Sequence, residues 1–221
     1  MPTERKDVLS MSRILPRSTP AAEGVDPAAL RRLVDGLDGL EDVHSVMVVR
    51  HGRVITEGWW HPHTADRPHV MFSVSKSFTS TAVGLAIHEG LLTLDDKVVD
   101  LLPDAVPDAP GEHLRAMRVR DLLTMTSGHG ASTMEGIDRT ISLPGAGWAR
   151  SILAQPVEHE PGTHFVYNTG ATYLLSAILH RLTGQRLLDY LTPRVFAPLG
   201  ITHATWEQDP EGIDTGGSAS R

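Results

Sequence analysis

The sequence predicts an α+β protein in which a short antiparallel sheet is followed by a long helical region. The first 60 residues contain one amphipathic helix and a pair of β-rich runs, while later apolar residues recur at helical spacing. Hydrophobic residues make up 40% of the 221 residues, which is enough for a packed core. The predicted organisation is a tail over 1–20, a helix and hairpin over 21–60, a helical region over 61–206, and a polar tail over 207–221.

In the first part, Asp26-Pro27 supplies a helix N-cap followed by proline at the first helical position, and the apolar spacing predicts a helix over 27–37. His44–Arg50 and Arg53–Trp60 are β-rich runs on either side of His51-Gly52, which is a two-residue hairpin signal. Because the first run is apolar on both faces, it is predicted to lie inside a sheet with a layer on each side.

The remainder of the chain is predicted to be helical with loops. The expected features are a helix over 73–89, a loop over 95–110, a short apolar segment over 119–126 and a short helix over 148–154. A helix capped by Asn168, a helix from 186 interrupted by Pro193, and an unstructured segment from Glu207 are expected to follow. Two strands cannot cover their own faces and edges, and no convincing strand follows residue 60. The sheet is therefore expected to have an unprotected edge or a missing layer.

The composition excludes several classes of protein. The formal net charge is −7, which gives no basic surface for nucleic acid or an anionic membrane. Cysteine is absent, so disulfides, thiolate catalysis and cysteine zinc sites are excluded. No run has the length of a signal peptide or a membrane span. We expect a soluble cytoplasmic protein with no nucleic-acid or membrane partner, and the sequence leaves its oligomeric state open.

Lys76 is the most informative residue, because it is the only formally charged side chain between Pro68 and His88. A surface helix of this length normally carries several charges, so Lys76 is expected to be partly buried. Burial disfavours the ammonium form and would lower the pKa of Lys76, which suits a proton acceptor near neutral pH. The alternative is a buried helix with one lysine that reaches solvent and has no catalytic partner.

Ser73 lies three residues before Lys76, so the two side chains share one helix face. Ser73 is also expected at the N-terminal end of the helix, where free backbone N–H groups favour developing negative charge. A serine hydroxyl is a weak nucleophile unless a neighbouring base takes its proton. The spacing therefore predicts a nucleophile with its base.

Several separate motifs, in order along the chain, make the sequence resemble the β-lactamase-related serine hydrolases, which include class C β-lactamases, D-alanyl-D-alanine carboxypeptidases and allied esterases. The motifs are Phe72–Phe78 (FSVSKSF), Glu89–Val98 (EGLLTLDDKV), Leu122–Gly128 (LLTMTSG), Pro161–Gly170 (PGTHFVYNTG) and Pro198–Ile201 (PLGI). The resemblance implies a β-lactamase/penicillin-binding-like fold, in which helices flank an antiparallel sheet and a helical domain is added. It also implies acyl transfer on a small-molecule or peptide-like substrate without a cofactor.

The resemblance also implies roles for individual residues. Ser73 would form an acyl-enzyme, Lys76 and Tyr167 would share the base and acid roles, and Asn168 and Thr169 would contact the substrate. Which of Lys76 and Tyr167 is the base stays open, because coupled groups titrate as a unit. The alternatives are that Tyr167 is a helix-entry aromatic and that Asn168 caps the following helix. Ser127-Gly128 is expected to be a structural turn.

The sequence departs from the family pattern in two places. The second motif is usually Tyr-x-Asn, whereas Thr169 holds its third position here, which favours an esterase or amidase over a true β-lactamase. The third motif, Lys or His followed by Thr or Ser and then Gly, is absent. The strand that carries it also supplies an oxyanion donor, whose loss typically costs about 3–4 kcal/mol of transition-state stabilisation. We therefore expect the N-terminal portion of a longer enzyme, or an inactive or ligand-binding relative.

A metal-dependent hydrolase is a further alternative. The segment 61–69 contains three histidines and one aspartate, a pattern loosely similar to a His-x-His metal site. The spacing differs by several residues, and two prolines indicate an exposed loop. No metal site is therefore predicted.

Overall fold

The computed structural model describes residues 15–135, 137 and 147–217. The chain divides into two compact units, with the boundary between Pro68 and His69. Among the described residues, no helix combines the length and the apolar character that crossing a bilayer requires.

The first unit contains the predicted helix and hairpin. Helix α1 is Pro27–Leu37, and the Asp26 side chain caps it by accepting a hydrogen bond from Ala28 N at 2.9 Å. Strands β1, Ser45–Arg50, and β2, Arg53–Trp59, pair antiparallel. Positive φ angles of 48° and 74° at His51-Gly52 form the tight turn, as the sequence predicts.

The environment of β1 differs from the prediction. Met47 and Val49 are 53% and 46% exposed, so the expectation of a strand covered on both faces is wrong. In the part of the chain that the structure describes, the sheet contains β1 and β2, and β1 pairs with β2 alone. The other edge of β2 meets residues 16–18, whose backbone exchanges hydrogen bonds with Val54. Part of the predicted N-terminal tail therefore pairs with the sheet, whereas the outer edge of β1 has no strand partner among the described residues.

The second unit is helical. Its α-helices are α2 Ser75–His88, α3 Val98–Leu101, α4 Glu112–Ala116, α5 Val119–Leu123, α6 Trp148–Leu153, α7 Thr169–Thr183, α8 Leu187–Leu191 and α9 Ala197–Leu199. The region predicted as a loop over 95–110 contains α3 and a 3₁₀ turn at Pro103–Ala105. Helix α8 changes at Thr192 into a π-helical turn, Thr192–Phe196, that contains Pro193, so the predicted interruption is a change of helix type.

Helix α7 forms the centre of this unit. Every side chain from Gly170 to Leu179 is buried, and α7 packs against α2, α5, α6 and α8. A helix that is apolar on all sides has to lie inside a core, and each fully buried large side chain contributes about 1.5–3 kcal/mol. The N-terminal end of α7 is therefore held rigidly, which matters because Tyr167 and Thr169 lie there.

The expectation of an unstructured segment from Glu207 is wrong for residues 207–217. Asp209 accepts a hydrogen bond of 2.5 Å from the buried Tyr173 hydroxyl, and Ser176 on α7 donates to the Asp214 carbonyl at 2.6 Å. Asp214 and Thr215 are 0% and 1% exposed. Polar and glycine-rich composition suggested a solvated segment, but its polar groups bind Tyr173 and Ser176 on α7 and the Leu188 backbone N–H on α8.

Candidate active site

Ser73 lies on a 3₁₀ turn, Phe72–Val74, that leads directly into α2. Phe72 has a φ of 45°, a left-handed conformation that is strained for a residue with a side chain. The buried hydroxyl of Ser75 anchors this turn by donating to the Phe72 carbonyl at 2.6 Å. Ser73 is consequently exposed at the N-terminal end of α2, where the sequence predicted it.

Lys76 occupies the first turn of α2 and is half-buried, as its isolated charge predicted. Its Nζ lies 3.1 Å from Ser73 Oγ and donates to the Gly217 carbonyl at 2.7 Å. The Nζ also lies 5.0 Å from the centroid of the Tyr167 ring. The prediction that Ser73 and Lys76 share one helix face, with Tyr167 beside them, is confirmed.

The pKa of the Tyr167 hydroxyl is changed by its surroundings, including Ser73 and Lys76. Burial raises the pKa of Tyr167, but hydrogen bonds with Ser73 and Lys76, together with the Lys76 charge, outweigh burial and lower it. Tyr167 as a residue is 51% exposed, so solvent screens part of this effect. The arrangement favours the phenolate next to the hydroxyl that would lose its proton.

Met125 binds the two residues that flank Tyr167 in the chain. The Met125 carbonyl accepts from Val166 N at 2.9 Å, and its sulfur accepts from Asn168 N at 3.4 Å. Met125 has a φ of 58° at the end of α5, which turns its backbone and side chain toward the same segment. The position of Tyr167 therefore depends on a contact between two loops.

Asn168 does not point toward solvent. It is fully buried, and its Oδ1 accepts from Thr133 N at 3.0 Å, Thr133 Oγ1 at 2.9 Å and Gly170 N at 2.9 Å. These contacts cap α7 and tie it to the loop at Thr133. The geometry supports the capping role of Asn168, and a substrate contact by its side chain has no support from this placement.

Thr169 lines an open cavity of about 440 Å³ beside the nucleophile. The other hydroxyl groups in its wall belong to Ser73 and Ser132, and its apolar side chains are Phe72, Met134 and Ile137. Glu135 and Gly217 complete the described wall.

The segment Gly216-Gly217 approaches α2 and α7 too closely for side chains. Gly216 has a φ of 67°, and a Cβ on it would lie 2.7 Å from the Thr172 carbonyl oxygen. A Cβ on Gly217 would lie 3.1 Å from Lys76 Nζ. The Gly216 carbonyl accepts from Thr79 Oγ1 at 2.6 Å, so successive carbonyls contact successive turns of α2. Glycine at both positions lets this segment supply the Lys76 acceptor.

Ser127-Gly128 forms a buried turn, as predicted. Ser127 Oγ lies 2.9 Å from His129 Nδ1, and both residues are 2% exposed. Gly128 has a φ of 88°, and a Cβ there would lie 2.3 Å from the His159 carbonyl oxygen. Burial lowers the pKa of His129, so the imidazole is favoured in its neutral form.

The sequence analysis missed several residues of the site, among them Met125, Thr133 and Gly217. Met125 belongs to the quoted LLTMTSG motif, but nothing in that motif indicates a contact with Tyr167. Thr133 and Gly217 lie 35 and 141 residues from their partners. No local periodicity or spacing connects positions so far apart.

These features define a class of α+β proteins in which a serine and a lysine share one turn at the start of a helix and a tyrosine lies beside them. The chain belongs to the Beta-lactamase family, whose model matches residues 30–220. The resemblance drawn from the motifs, and the predicted fold class, are therefore confirmed.

Two relatives and one solved structure illustrate the family. The chain is 32% identical over 174 residues to a D-aminopeptidase from Brucella anthropi, a match that covers 72% of this chain and 32% of the relative. It is 31% identical over 164 residues to a monacolin J acid methylbutanoyltransferase from Aspergillus terreus, covering 66% and 40%. A class C beta-lactamase solved with cefoxitin has the same fold, with a TM-score of 0.68, 19% identity and coverage of 87% and 60%. The chain thus spans about a third of the length of the first of these relatives.

Proposed function

We propose that this chain is a serine hydrolase that forms an acyl-enzyme on an ester, amide or β-lactam-like carbonyl. One observation carries the proposal. Ser73 Oγ lies in the wall of an open cavity, 3.1 Å from Lys76 Nζ, and Lys76 Nζ lies 5.0 Å from the centroid of the Tyr167 ring. A hydroxyl that faces open space beside two groups able to transfer a proton is the arrangement that nucleophilic catalysis requires.

In the proposed reaction, Ser73 Oγ attacks the carbonyl carbon while its proton passes to the Lys76–Tyr167 pair. The tetrahedral intermediate collapses as the pair returns that proton to the departing alcohol or amine, which leaves an ester on Ser73. Water then attacks this ester, and its proton follows the same route to Ser73 Oγ as the acid leaves. Because the two groups are coupled, the proton is assigned to the pair and to neither residue alone.

The activities named for two relatives support carbonyl chemistry at such a site. One relative is an aminopeptidase and the other is a methylbutanoyltransferase, and both reactions take place at an acyl carbon. The substrate proposed for this chain is a small-molecule or peptide-like acyl compound. The second candidate function is an inactive or ligand-binding relative, which the absence of the Lys/His-Thr/Ser-Gly tripeptide favours.

A fluorophosphonate probe separates the two candidates. We expect covalent labelling of the folded chain, measured by intact-protein mass spectrometry, and its loss in Ser73→Ala. Ser132→Ala is the matched control, because it removes another hydroxyl from the same cavity and is expected to label normally. If the folded chain shows no labelling, or if labelling persists in Ser73→Ala, the hydrolase proposal is wrong.

A further inference from the structure

The cavity beside Ser73 has an uneven chemical character. Among the described residues in its wall, Glu135 has the one side chain that is charged at neutral pH, and Phe72, Met134 and Ile137 are apolar. A cavity with apolar walls and one carboxylate favours a ligand with an apolar part and a positive charge.

The backbone at Glu135 is anchored to the rest of the site. Thr133 and Met134, which precede it, are 1% and 5% exposed. Thr133 donates twice to the cap residue Asn168, and its carbonyl accepts from Gln155 Nε2 at 2.8 Å. The backbone next to Glu135 is therefore tied, through Thr133, to Asn168 between Tyr167 and Thr169, although Glu135 itself is exposed.

The Glu135 carboxylate is also available. None of the ion pairs formed among the described residues includes Glu135. The nearby cation, Lys76, directs its Nζ at Ser73 Oγ and the Gly217 carbonyl. A substrate ammonium group thus has an acceptor in this wall, whereas a substrate carboxylate would meet a like charge.

We propose that Glu135 is a specificity residue that selects acyl substrates bearing a protonated amine next to an apolar side chain, and that it disfavours anionic substrates. This inference rests on the proposed function, because it assigns the substrate class of that same site. The ammonium would lie against Glu135 and the apolar side chain against Phe72, Met134 and Ile137, with the acyl carbon facing Ser73.

Ligand binding to the full chain with Ser73→Ala tests the inference without depending on turnover. The ligands are leucinamide, N-acetyl-leucinamide and N-succinyl-leucinamide, each tested as both enantiomers. Near pH 6.5 these three compounds are cationic, neutral and anionic, respectively. We expect the affinity, measured by calorimetry or NMR titration, to fall in that order. Adding Glu135→Gln should weaken leucinamide binding about three- to tenfold and leave the N-acetyl compound unchanged. High salt should act in the same direction as Glu135→Gln.

Glu112→Gln is the matched control, since it removes an exposed carboxylate that lines a different cavity. It should change no affinity. Equal binding of the three ligands, or an unchanged leucinamide affinity in Glu135→Gln, would overturn the inference. Failure of the hydrolase proposal has a separate readout, because it appears as absent fluorophosphonate labelling in the chain that retains Ser73.

Discussion

Replacing Asn168 tests how the site is held together. Its Oδ1 accepts from two backbone N–H groups and one hydroxyl, all buried, at 2.9–3.0 Å. Asn168→Ala leaves the N–H groups of Thr133 and Gly170 without their acceptor. Loss of a helix cap costs about 1 kcal/mol, and an unsatisfied buried donor costs about 1–3 kcal/mol. We expect the free energy of unfolding to fall by about 2–4 kcal/mol.

Asn168→Asp is the matched variant, because aspartate keeps an acceptor at the same position and is favoured at a helix N-terminus. We expect it to retain more than half of the free energy that Asn168→Ala loses. The measurement is urea unfolding followed by circular dichroism, with similar denaturant slopes for all three proteins. A loss below about 0.5 kcal/mol in Asn168→Ala would refute the capping account, because unsatisfied donors would then cost nothing measurable.

Three further predictions follow from contacts in the second unit. In Gly217→Ala the new Cβ would lie 3.1 Å from Lys76 Nζ, so we expect fluorophosphonate labelling to be about tenfold slower. The control is Gly84→Ala, in which the new Cβ meets open space and labelling should be normal. Because contacts with Lys76 lower the pKa of Tyr167, the labelling rate should rise with pH around a midpoint below about 10, and Tyr167→Phe should abolish that rise. A midpoint at or above the ordinary value contradicts this. Burial lowers the pKa of His129, so in acid the unfolded chain binds more protons than the folded chain. The free energy of unfolding, measured in urea, should therefore fall below about pH 6.5, and it should fall less steeply in His129→Gln.

The elements that the sequence predicted correctly are those encoded by neighbouring residues. The α1 cap at Asp26 and the His51-Gly52 turn each depend on local backbone preferences. The Ser73–Lys76 contact is of the same kind, because helical geometry alone brings positions three apart onto one face.

The incorrect predictions concern long-range contacts. The apolar residues of β1 indicate a strand suited to burial, but the cover for such a strand comes from elsewhere in the fold, and Met47 remains exposed. The polar composition of 207–217 indicates solvent exposure only when its polar groups have no internal partners. Asp209 and Asp214 do have them, on Tyr173 and Ser176.

The sequence by itself determined the family and the close spacing of Ser73 and Lys76. Its motifs also indicated Tyr167 as the third polar residue of the site. The tertiary structure alone decided that Met125 contacts the residues beside Tyr167, that the cap residue Asn168 also binds Thr133, and that the Gly217 carbonyl accepts from Lys76 Nζ. The physical reason is distance along the chain. Helix periodicity relates residues a few positions apart, whereas contacts across 35 to 141 residues exist only once the core around α7 has formed.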